Sequence, residues 1–276
     1  MHVAMATSPG TPGQPDQDFV GAVPGAVVLL DGAGIPGTES ICRHGVAWYT
    51  HSLGGALLGR LSRDCGRGLV TILSDAIEQI AGEHRFTCDI TNPSSPQATV
   101  AIFRSDGKRA EFLMLADSVL VLDKPAGNPK VITDEREVAV RRECSAIFDG
   151  IAKGTPEYNQ AREAYIEAVR ARRNQPGGYW IAKDDACAAA EARAGSFAVR
   201  DLSGVAMLSN GASRIVDAYG LAGWPEVLEV LRASGPGEII RRVRRAEASD
   251  AAGGRPGARS PDDATVAYCR IAARFV

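Results

Sequence analysis

The sequence predicts an α+β fold with grouped strands and grouped helices, and two observations predict it. Apolar residues alternate with polar ones in short runs over residues 97–123, which is the period of a strand. Apolar residues recur at helical spacing over residues 38–62 and 68–82, and again between residues 212 and 248. Strict alternation of strand and helix would instead indicate a parallel βαβ sheet. With 45% hydrophobic residues, the chain of 276 residues is large enough to bury a sizeable core.

The N-terminal third of the chain begins with a loop and continues into a buried strand. Residues 8–16 are rich in Pro and Gly, which predicts a loop. The apolar run Ala26–Leu30 is partly β-branched and stops at Asp31, so it predicts a buried strand that ends in a turn. Leucine and isoleucine stripes over residues 38–62 and 68–82 predict two long helices that pack on a sheet.

The remainder of the chain has neither a fixed-period repeat nor a break in composition, so residues 1–276 are expected to form one domain. Residues 97–123 predict three antiparallel strands, with Asp106-Gly107 at a hairpin turn. The later elements are expected to be a short strand and a charged helix within 131–150, an exposed helix over 155–173, a short strand over 179–183, an Ala-rich helix over 184–194, a buried strand within 204–211, helices over 212–219, 224–233 and 237–248, a loop over 249–261, and a last strand opened by Asp262 and Asp263.

The charge balance excludes a general attraction to polyanions. There are 31 basic and 33 acidic residues, a formal net charge of −2, so no nucleic-acid or membrane partner is expected. One local exception is the arginine run between residues 241 and 245, which predicts a solvated helix face. The N-terminus lacks a basic segment followed by an apolar one, and the apolar runs are of strand length, so a cytoplasmic location is expected.

Cysteine and histidine residues are scattered along the chain. No two cysteines form a C-x-x-C motif, so they are expected to be reduced, and several to be small buried hydrophobic residues. The histidines lie outside every acidic motif described below and are expected on the surface or on a helix face. These residues are Cys42, Cys65, Cys88, Cys144, Cys187, Cys269, His2, His44, His51 and His84.

Acidic residues occur where the predicted strands begin or end. Asp18 precedes an apolar stretch, Asp31 ends a strand, Asp117 lies between two strands, and Asp262 opens the last strand. Strand ends at one edge of a packed sandwich can crowd together, and crowded carboxylates repel and desolvate one another. A hard divalent cation such as Mg²⁺ or Mn²⁺ relieves that cost, and the Gly32 carbonyl is a further candidate ligand.

Five short motifs occur in a fixed order along the chain. They are Asp16-Gln17-Asp18, Asp31-Gly32-Ala33-Gly34, Ala116-Asp117-Ser118, Ser209-Asn210-Gly211 and Asp262-Asp263-Ala264-Thr265-Val266. This order resembles that of the protein phosphatase 2C family of metal-dependent serine/threonine phosphatases, and most closely its small divergent bacterial members. The match runs from about residue 7 to residue 271. The resemblance implies a four-layer α-β-β-α sandwich of two mostly antiparallel sheets flanked by helices.

The resemblance also implies a binuclear centre of two Mn²⁺ or Mg²⁺ ions, with no other cofactor. Asp31 would bridge the ions, the Gly32 carbonyl would bind the second, and Asp262 would bind the first. Asp18 would contact metal-bound water, and Asp117 would belong to a looser third site. The family uses a metal-bridging hydroxide that attacks phosphorus in line, with phosphoproteins as substrates.

Four departures from the family motifs weaken the predicted centre. Asn210 stands where the family has an aspartate that binds the first metal ion, and Gln17 replaces a glutamate. Ala116 replaces a glycine, and no arginine precedes Asp16, where many members place a phosphate-binding residue. Because the amide oxygen of Asn210 carries no charge, it would be a weaker metal ligand than a carboxylate.

Three functions therefore remain open at this point. The first is a phosphatase that acts on phosphoserine or phosphothreonine in proteins. The second is a pseudo-phosphatase, a binding or regulatory module that kept the fold and lost efficient catalysis. The third is a structural sandwich with turn acids at its edges and no metal-linked stabilisation. The joint presence of Asp31, Gly32 and Asp262 favours the enzyme.

Residues 150–178 lie between the hairpin region and the Ser-Asn-Gly motif. The resemblance implies that this segment includes a flap near the active site that selects substrate. An ordinary surface helix is the alternative interpretation. The sequence leaves the substrate protein, the choice between Mn²⁺ and Mg²⁺, and the oligomeric state open.

Overall fold

The computed structural model describes residues 1–34, 40–63, 66–252 and 260–271, which form two five-stranded sheets, a two-stranded ribbon and seven α-helices. The strands are β1 (His2–Ser8), β2 (Phe19–Val23), β3 (Ala26–Leu30), β4 (Gly32–Ala33), β5 (Gln97–Ala98), β6 (Val100–Ser105), β7 (Arg109–Leu115), β8 (Val119–Asp123), β9 (Lys130–Ile132), β10 (Arg193–Ala198), β11 (Gly204–Leu208) and β12 (Ala264–Arg270). The helices are α1 (Gly45–Arg63), α2 (Leu69–His84), α3 (Arg136–Cys144), α4 (Pro156–Ala171), α5 (Asn210–Asp217), α6 (Trp224–Ser234) and α7 (Pro236–Ala252).

The two large sheets are antiparallel throughout. One sheet has the strand order β1-β12-β11-β8-β9 and the other has the order β10-β7-β6-β3-β2, while β4 pairs with β5 beside them. In the first sheet, the N-terminal strand β1 pairs with the C-terminal strand β12, so that His2 lies opposite Arg270. The ends of the described chain are therefore joined by a ladder of hydrogen bonds.

The alternating side chains of β3 show which layer packs against each face of its sheet. Val27 and Leu29 point toward the other sheet, where they share an apolar core with Met207 of β11. Val28 and Leu30 point the opposite way and pack with helices α1 and α2. These four of the five β3 side chains are 0% exposed, and fully burying one such side chain contributes about 1.5–3 kcal/mol relative to leaving it exposed.

Helices cover the outer face of each sheet. The predicted stripes pack inward, with Leu53 and Leu57 on α1 and Leu73 and Ile77 on α2 all 0% exposed. Helices α5, α6 and α7 cover the outer face of β8, β11 and β12 in the same way. The four-layer α-β-β-α sandwich and the α+β class are therefore confirmed.

The three strands predicted over residues 97–123 divide between the two sheets. Strands β6 and β7 pair with each other, but β8 pairs with β9 and β11 in the opposite sheet. The chain crosses at Ala116, whose φ of 65° is unusual for a residue with a side chain. The three predicted antiparallel strands are therefore confirmed, but they belong to two sheets, because strand period does not identify the pairing partner.

Residues 179–198 also differ from the prediction. Tyr179 and Ala182 make only isolated bridges rather than a strand, and the expected Ala-rich helix is a short 3₁₀ turn over Ala186–Glu191. Strand β10 follows it and was not predicted. Six residues of β10 pair with β7, and this tertiary pairing outweighs the helical propensity of the alanines.

Other predictions agree closely with the structure. The exposed helix over 155–173 is confirmed as α4, which begins where the Thr155 hydroxyl accepts a hydrogen bond from the Tyr158 amide at 3.2 Å. The first long helix begins at Gly45 rather than at residue 38, and residues 35–39 lie outside the described residues. In the arginine run of α7, Arg241 and Arg242 pair with Glu238.

The cysteine and histidine predictions are partly confirmed. Cys42 and Cys269 are buried, as expected, whereas Cys187 is exposed, and Cys65 lies outside the described residues. His84 lies on a helix face, which is one of the two expected positions, and is only 2% exposed. Among the helices of the described ranges, none is both long enough and apolar enough to cross a membrane.

Candidate metal centre

The ends of strands from both sheets meet at one cleft of about 710 Å³. Asp31 follows β3, Asp117 precedes β8, Asn210 follows β11 and Asp262 precedes β12, and all four line this cleft together with Gly32. The structure therefore brings together five of the six predicted metal-site residues. Asp18 does not line the cleft, but it lies near enough to Asp31 to perturb the pKa of that residue.

Asp31 is held at the centre of this arrangement. Its amide donates to Thr99 Oγ1 at 3.2 Å, and its carbonyl accepts from the Thr99 amide at 2.9 Å. The Asn210 amide donates to Asp31 Oδ2 at 2.8 Å. Burial raises the pKa of Asp31 well above its usual value, and the charges of Asp18, Asp117 and Asp262 raise it further. A cation beside this carboxylate would offset both contributions.

Two glycines allow the backbone to pack closely around Asp31. A Cβ atom on Gly32 would lie 2.2 Å from the Gln17 carbonyl oxygen, and one on Gly211 would lie 1.9 Å from the Asp263 carbonyl oxygen. Any side chain at either position would displace a neighbouring strand end. The glycines of the Asp-Gly and Asn-Gly pairs are therefore packing requirements, in addition to the metal-ligand role predicted for the Gly32 carbonyl.

Asp18 is a buried carboxylate without hydrogen-bond partners. The residue is 2% exposed, and neither of its carboxylate oxygens makes a hydrogen bond among the described residues. Burial raises its pKa to about 7, with smaller contributions from Asp16 and Asp263, while the nearby Thr265 and Ser209 hydroxyls lower it in part. An unpartnered buried carboxylate is costly. A bound cation, or water held by one, would satisfy it, so the residues present fit a divalent metal.

Asn210 contacts two of the acids at once. Its backbone amide donates a hydrogen bond to Asp31, and its side-chain Nδ2 donates to Asp117 Oδ2 at 3.0 Å. Burial and the Glu137 charge raise the pKa of Asp117 to about 6, and the Asn210 hydrogen bond partly opposes them. With its nitrogen directed at Asp117, the side chain has one oxygen left to offer a metal.

Asp262 is paired with an arginine that the sequence analysis did not select. Arg214 of α5 donates to Asp262 Oδ2 at 2.5 Å and to the Ser260 carbonyl at 2.9 Å. The Asp262 side chain is 50% exposed, whereas that of Arg214 is 11% exposed. The available signal was helical spacing, because Arg214 lies four residues after Asn210 and shares its helix face.

The neighbouring acid Asp263 has a different environment. It accepts hydrogen bonds from the amides of Gly10 at 2.7 Å and Gln17 at 2.6 Å. Asp16 accepts from the Thr7 hydroxyl at 2.6 Å and from the Asp18 amide at 3.0 Å. These two acids therefore fix the loop between β1 and β2, while Asp262 faces the cleft.

Helix α3 and the segment after α4 add charged groups to the cleft. Glu137 and Arg141 line it and pair with each other at 2.5 Å. Arg173 lines it as well and donates to the Pro93 carbonyl at 2.6 Å and to the Tyr179 hydroxyl at 3.1 Å. The sequence analysis missed these three charges, because the tertiary packing of α3 and α4 brings them to the strand ends.

The fold is that of solved bacterial phosphatases over nearly the whole chain. A bacterial serine phosphatase superposes with a TM-score of 0.61 at 12% identity and covers 100% of both chains. The Mycobacterium tuberculosis serine/threonine phosphatase PstP/Ppp matches with a TM-score of 0.59 at 18% identity and covers 98% of both chains. The PstP catalytic domain has also been solved in complex with two manganese ions.

The Staphylococcus aureus serine/threonine phosphatase Stp1 matches with a TM-score of 0.61 at 13% identity, covering 98% of this chain and 95% of Stp1. No protein-family model and no curated protein matches the sequence. At these identities the likeness establishes the fold alone. The activity must therefore be argued from the side chains of the cleft.

Proposed function

We propose that this chain is a member of the protein phosphatase 2C family, a metal-dependent phosphatase that removes phosphate from serine and threonine side chains of proteins. The observation that carries the proposal is the convergence of Asp31, Asp117, Asn210 and Asp262 on one cleft. That convergence occurs in a fold shared with bacterial serine/threonine phosphatases. A purely structural sandwich gives no reason for a buried Asp18 without partners beside it.

Each residue has a distinct task in the proposed centre. Asp31 would bridge two Mn²⁺ or Mg²⁺ ions, with Asp262 and Asn210 on the first ion and the Gly32 carbonyl on the second. Asp117 would hold a third, weaker ion. When bound, such ions supply Lewis-acid charge that polarises the phosphoryl group and lowers the pKa of water.

Asp18 is proposed to exchange a proton in this reaction. Its pKa of about 7 lies close to neutral pH, where a general acid or base is most effective. The hydroxyl groups of Thr265 and Ser209 beside it partly lower that pKa. We assign Asp18 to orienting the attacking water and accepting its proton.

Arginines at the cleft wall would meet the dianionic phosphate. Arg141 and Arg173 both line the cleft, although no arginine precedes Asp16. Guanidinium groups bind phosphate oxygens through paired N–H donors. These two arginines therefore take the place of the missing phosphate-binding residue.

Residues 150–178 are proposed as the flap that selects substrate. Helix α4 packs against α3, which supplies Glu137 and Arg141 to the cleft, and the chain after α4 supplies Arg173. A peptide that carries the phosphate would meet this segment before it reaches Asp31. The substrate is expected to be a cytoplasmic phosphoprotein.

A pseudo-phosphatase is the second candidate, and two contacts favour it. Asn210 replaces a carboxylate and donates its amide to Asp117 at 3.0 Å, while Arg214 neutralises Asp262 at 2.5 Å. The neutral side chain of Asn210 and the ion pair of Arg214 with Asp262 both reduce the negative charge available to two divalent cations. In this case the cleft would bind a phosphorylated segment and release it unchanged.

Hydrolysis of an aryl phosphate and of a phosphothreonine peptide tests the proposal. Turnover should require Mn²⁺ or Mg²⁺, stop with chelator, and be lost in Asp31→Asn. Asp201→Asn is the matched control, since Asp201 is exposed and its nearest ion-pair partner is Arg200 at 3.8 Å. Metal-dependent thermal stabilisation without turnover would favour the pseudo-phosphatase. The absence of both turnover and metal-dependent stabilisation would contradict both candidates.

A further inference from the structure

A second cluster of potential metal ligands lies away from the acidic motifs. Cys42 and His44 precede α1, His84 is the last residue of α2, and Cys88 follows four residues later. One ligand atom from each residue lies within 4.8 Å of all the others. No C-x-x-C motif signals this cluster, because its two halves have the spacings C-x-H and H-x-x-x-C.

The distances within the cluster match a tetrahedral site. His44 Nδ1 lies 3.3 Å from Cys88 Sγ and 3.9 Å from Cys42 Sγ, and His84 Nδ1 lies 3.8 Å from Cys42 Sγ. Zinc bonds of about 2.3 Å to sulfur and about 2.0–2.1 Å to nitrogen, at tetrahedral angles, place sulfur and nitrogen about 3.6 Å apart. The observed distances fall on both sides of that value.

The surroundings of the cluster hold the imidazole rings in place. His44 stacks on Trp48 with ring centroids 4.4 Å apart, and Trp48 lies 5.1 Å from the His84 ring. His84 is 2% exposed and Cys42 is 3% exposed.

We propose that Cys42, His44, His84 and Cys88 bind one Zn²⁺ ion in a closed structural site. Two thiolates and two imidazole nitrogens at tetrahedral spacing are a ligand set that favours zinc over Mg²⁺ or Mn²⁺. Four protein ligands leave no open position for water or substrate, so the site stabilises the fold and has no catalytic role.

The proposed ion would fasten the α1–α2 hairpin at its open end. It joins the residues before α1 to the residues at and after the end of α2, next to a backbone hydrogen bond of 2.9 Å from the Asp89 amide to the Ile41 carbonyl. The first turn of α1 also touches the acidic cleft. A Cβ atom on Gly32 or Gly34 would lie 2.7 Å or 2.3 Å from the Val46 side chain. The zinc site would therefore help to position the backbone that follows Asp31.

Metal content of the full chain tests this inference directly. The protein is purified under reducing conditions, dialysed against EDTA and analysed by elemental mass spectrometry. We expect about one zinc ion per chain to remain, because a buried thiolate site releases zinc slowly. Cobalt exchanged into the site should give the intense visible bands and the sulfur-to-metal charge-transfer band of tetrahedral thiolate coordination.

Matched variants locate the ion. Cys88→Ser and His44→Ala should each reduce retained zinc roughly fivefold or more, whereas Cys187→Ser and His51→Ala should retain it. If the first two variants do not fold, the cobalt spectrum of the unmodified chain shows whether cysteine thiolates bind the ion. A chain that retains no zinc and shows no thiolate–cobalt band overturns the proposal. A Cys42–Cys88 disulfide in protein purified with reductant also overturns it.

This inference is independent of the proposed phosphatase activity. Asp31→Asn should retain zinc while losing turnover, and an inactive unmodified chain that holds zinc would contradict only the phosphatase reaction. The two proposals can therefore fail separately.

Discussion

The acidic cleft and the Cys/His cluster differ in both ligand chemistry and enclosure. The cleft offers oxygen ligands in about 710 Å³ of open space, with Arg214 and Arg141 among its walls. The Cys/His cluster combines sulfur and nitrogen atoms within 4.8 Å of one another, and Trp48 packs against both of its imidazoles. The first arrangement suits hard ions that exchange with solvent, and the second suits a soft ion that stays bound.

The two sites are expected to affect folding stability in different ways. In the cleft, burial and like charges raise the pKa values of Asp18, Asp31 and Asp117, so the folded protein bears a cost that ions would offset. The Cys/His cluster instead joins two helix ends. Losing its ion would remove a cross-link, whereas losing a cleft carboxylate would remove repulsion. The following predictions test this contrast.

The largest effect is expected from the Cys/His cluster. Cys42→Ser should lower the melting temperature by about 10 °C or more, because loss of a structural zinc ion costs several kcal/mol of folding free energy. Differential scanning calorimetry under reducing conditions measures the change. Cys144→Ser, a half-buried cysteine outside the cluster, is the matched control, and equal shifts in both variants would contradict the cross-link.

The next effect concerns the missing carboxylate of the cleft. Asn210→Asp should raise phosphatase activity roughly tenfold or more and tighten Mn²⁺ binding, because it adds a charged ligand and removes the amide donor to Asp117. Titration of activity with Mn²⁺ measures both changes. Asn210→Ala loses the same hydrogen bond without adding charge, so a gain in that variant would show that the charge is unimportant.

The buried acid Asp18 should behave in the opposite way to Cys42. Asp18→Asn should raise the melting temperature of metal-free protein by about 2–5 °C at neutral pH, because it removes a buried charge without partners. Asp16→Asn is the control, since Asp16 accepts hydrogen bonds from Thr7 and Asp18. A loss of stability in Asp18→Asn would contradict the repulsion argument.

The pH dependence of metal-free stability follows from the same carboxylate. The pKa of Asp18 is about 7 in the folded protein against an ordinary value of 3.8 for this side chain, so the folded state binds more protons than the unfolded state between these values. Stability should therefore fall as pH rises from about 4 to about 7. Stabilisation by Mn²⁺ should grow over the same range, because deprotonated carboxylates bind the ion. Urea unfolding at several pH values measures this, and a flat profile would contradict the raised pKa.

The smallest effect is expected at the edge of the cleft. Arg173→Ala should lower kcat/KM for a phosphothreonine peptide about three- to tenfold and lower aryl phosphate hydrolysis less, because Arg173 is proposed to bind the phosphate together with Arg141 and also belongs to the segment proposed to meet the peptide. Arg162→Ala, on the exposed face of α4, should leave both unchanged. Equal losses on the two substrates would assign Arg173 to the phosphate alone.

Much of this molecule was predictable from local patterns in the sequence. The stop of the β3 run at Asp31, the helical stripes of α1 and α2, and each of the five motifs depend on residues close together in the chain. The periodicity predicted the α+β class, and the resemblance to a known family implied the sandwich; the structure confirms both. The strand-end acids and the resemblance together gave five residues that the structure places in one cleft. The local patterns suffice because period and turn chemistry act over a few residues.

Tertiary structure alone decided which distant residues meet. Packing places β8 in a different sheet from β6 and β7 and pairs Arg214 with Asp262. Packing also directs Asp262 to the cleft and Asp263 to the loop between β1 and β2. The Cys/His cluster likewise joins the segment before α1 to the segment at and after the end of α2, which meet at the open end of the helix hairpin. No local pattern records such contacts, because they form only when burial of the shared core brings separate elements together.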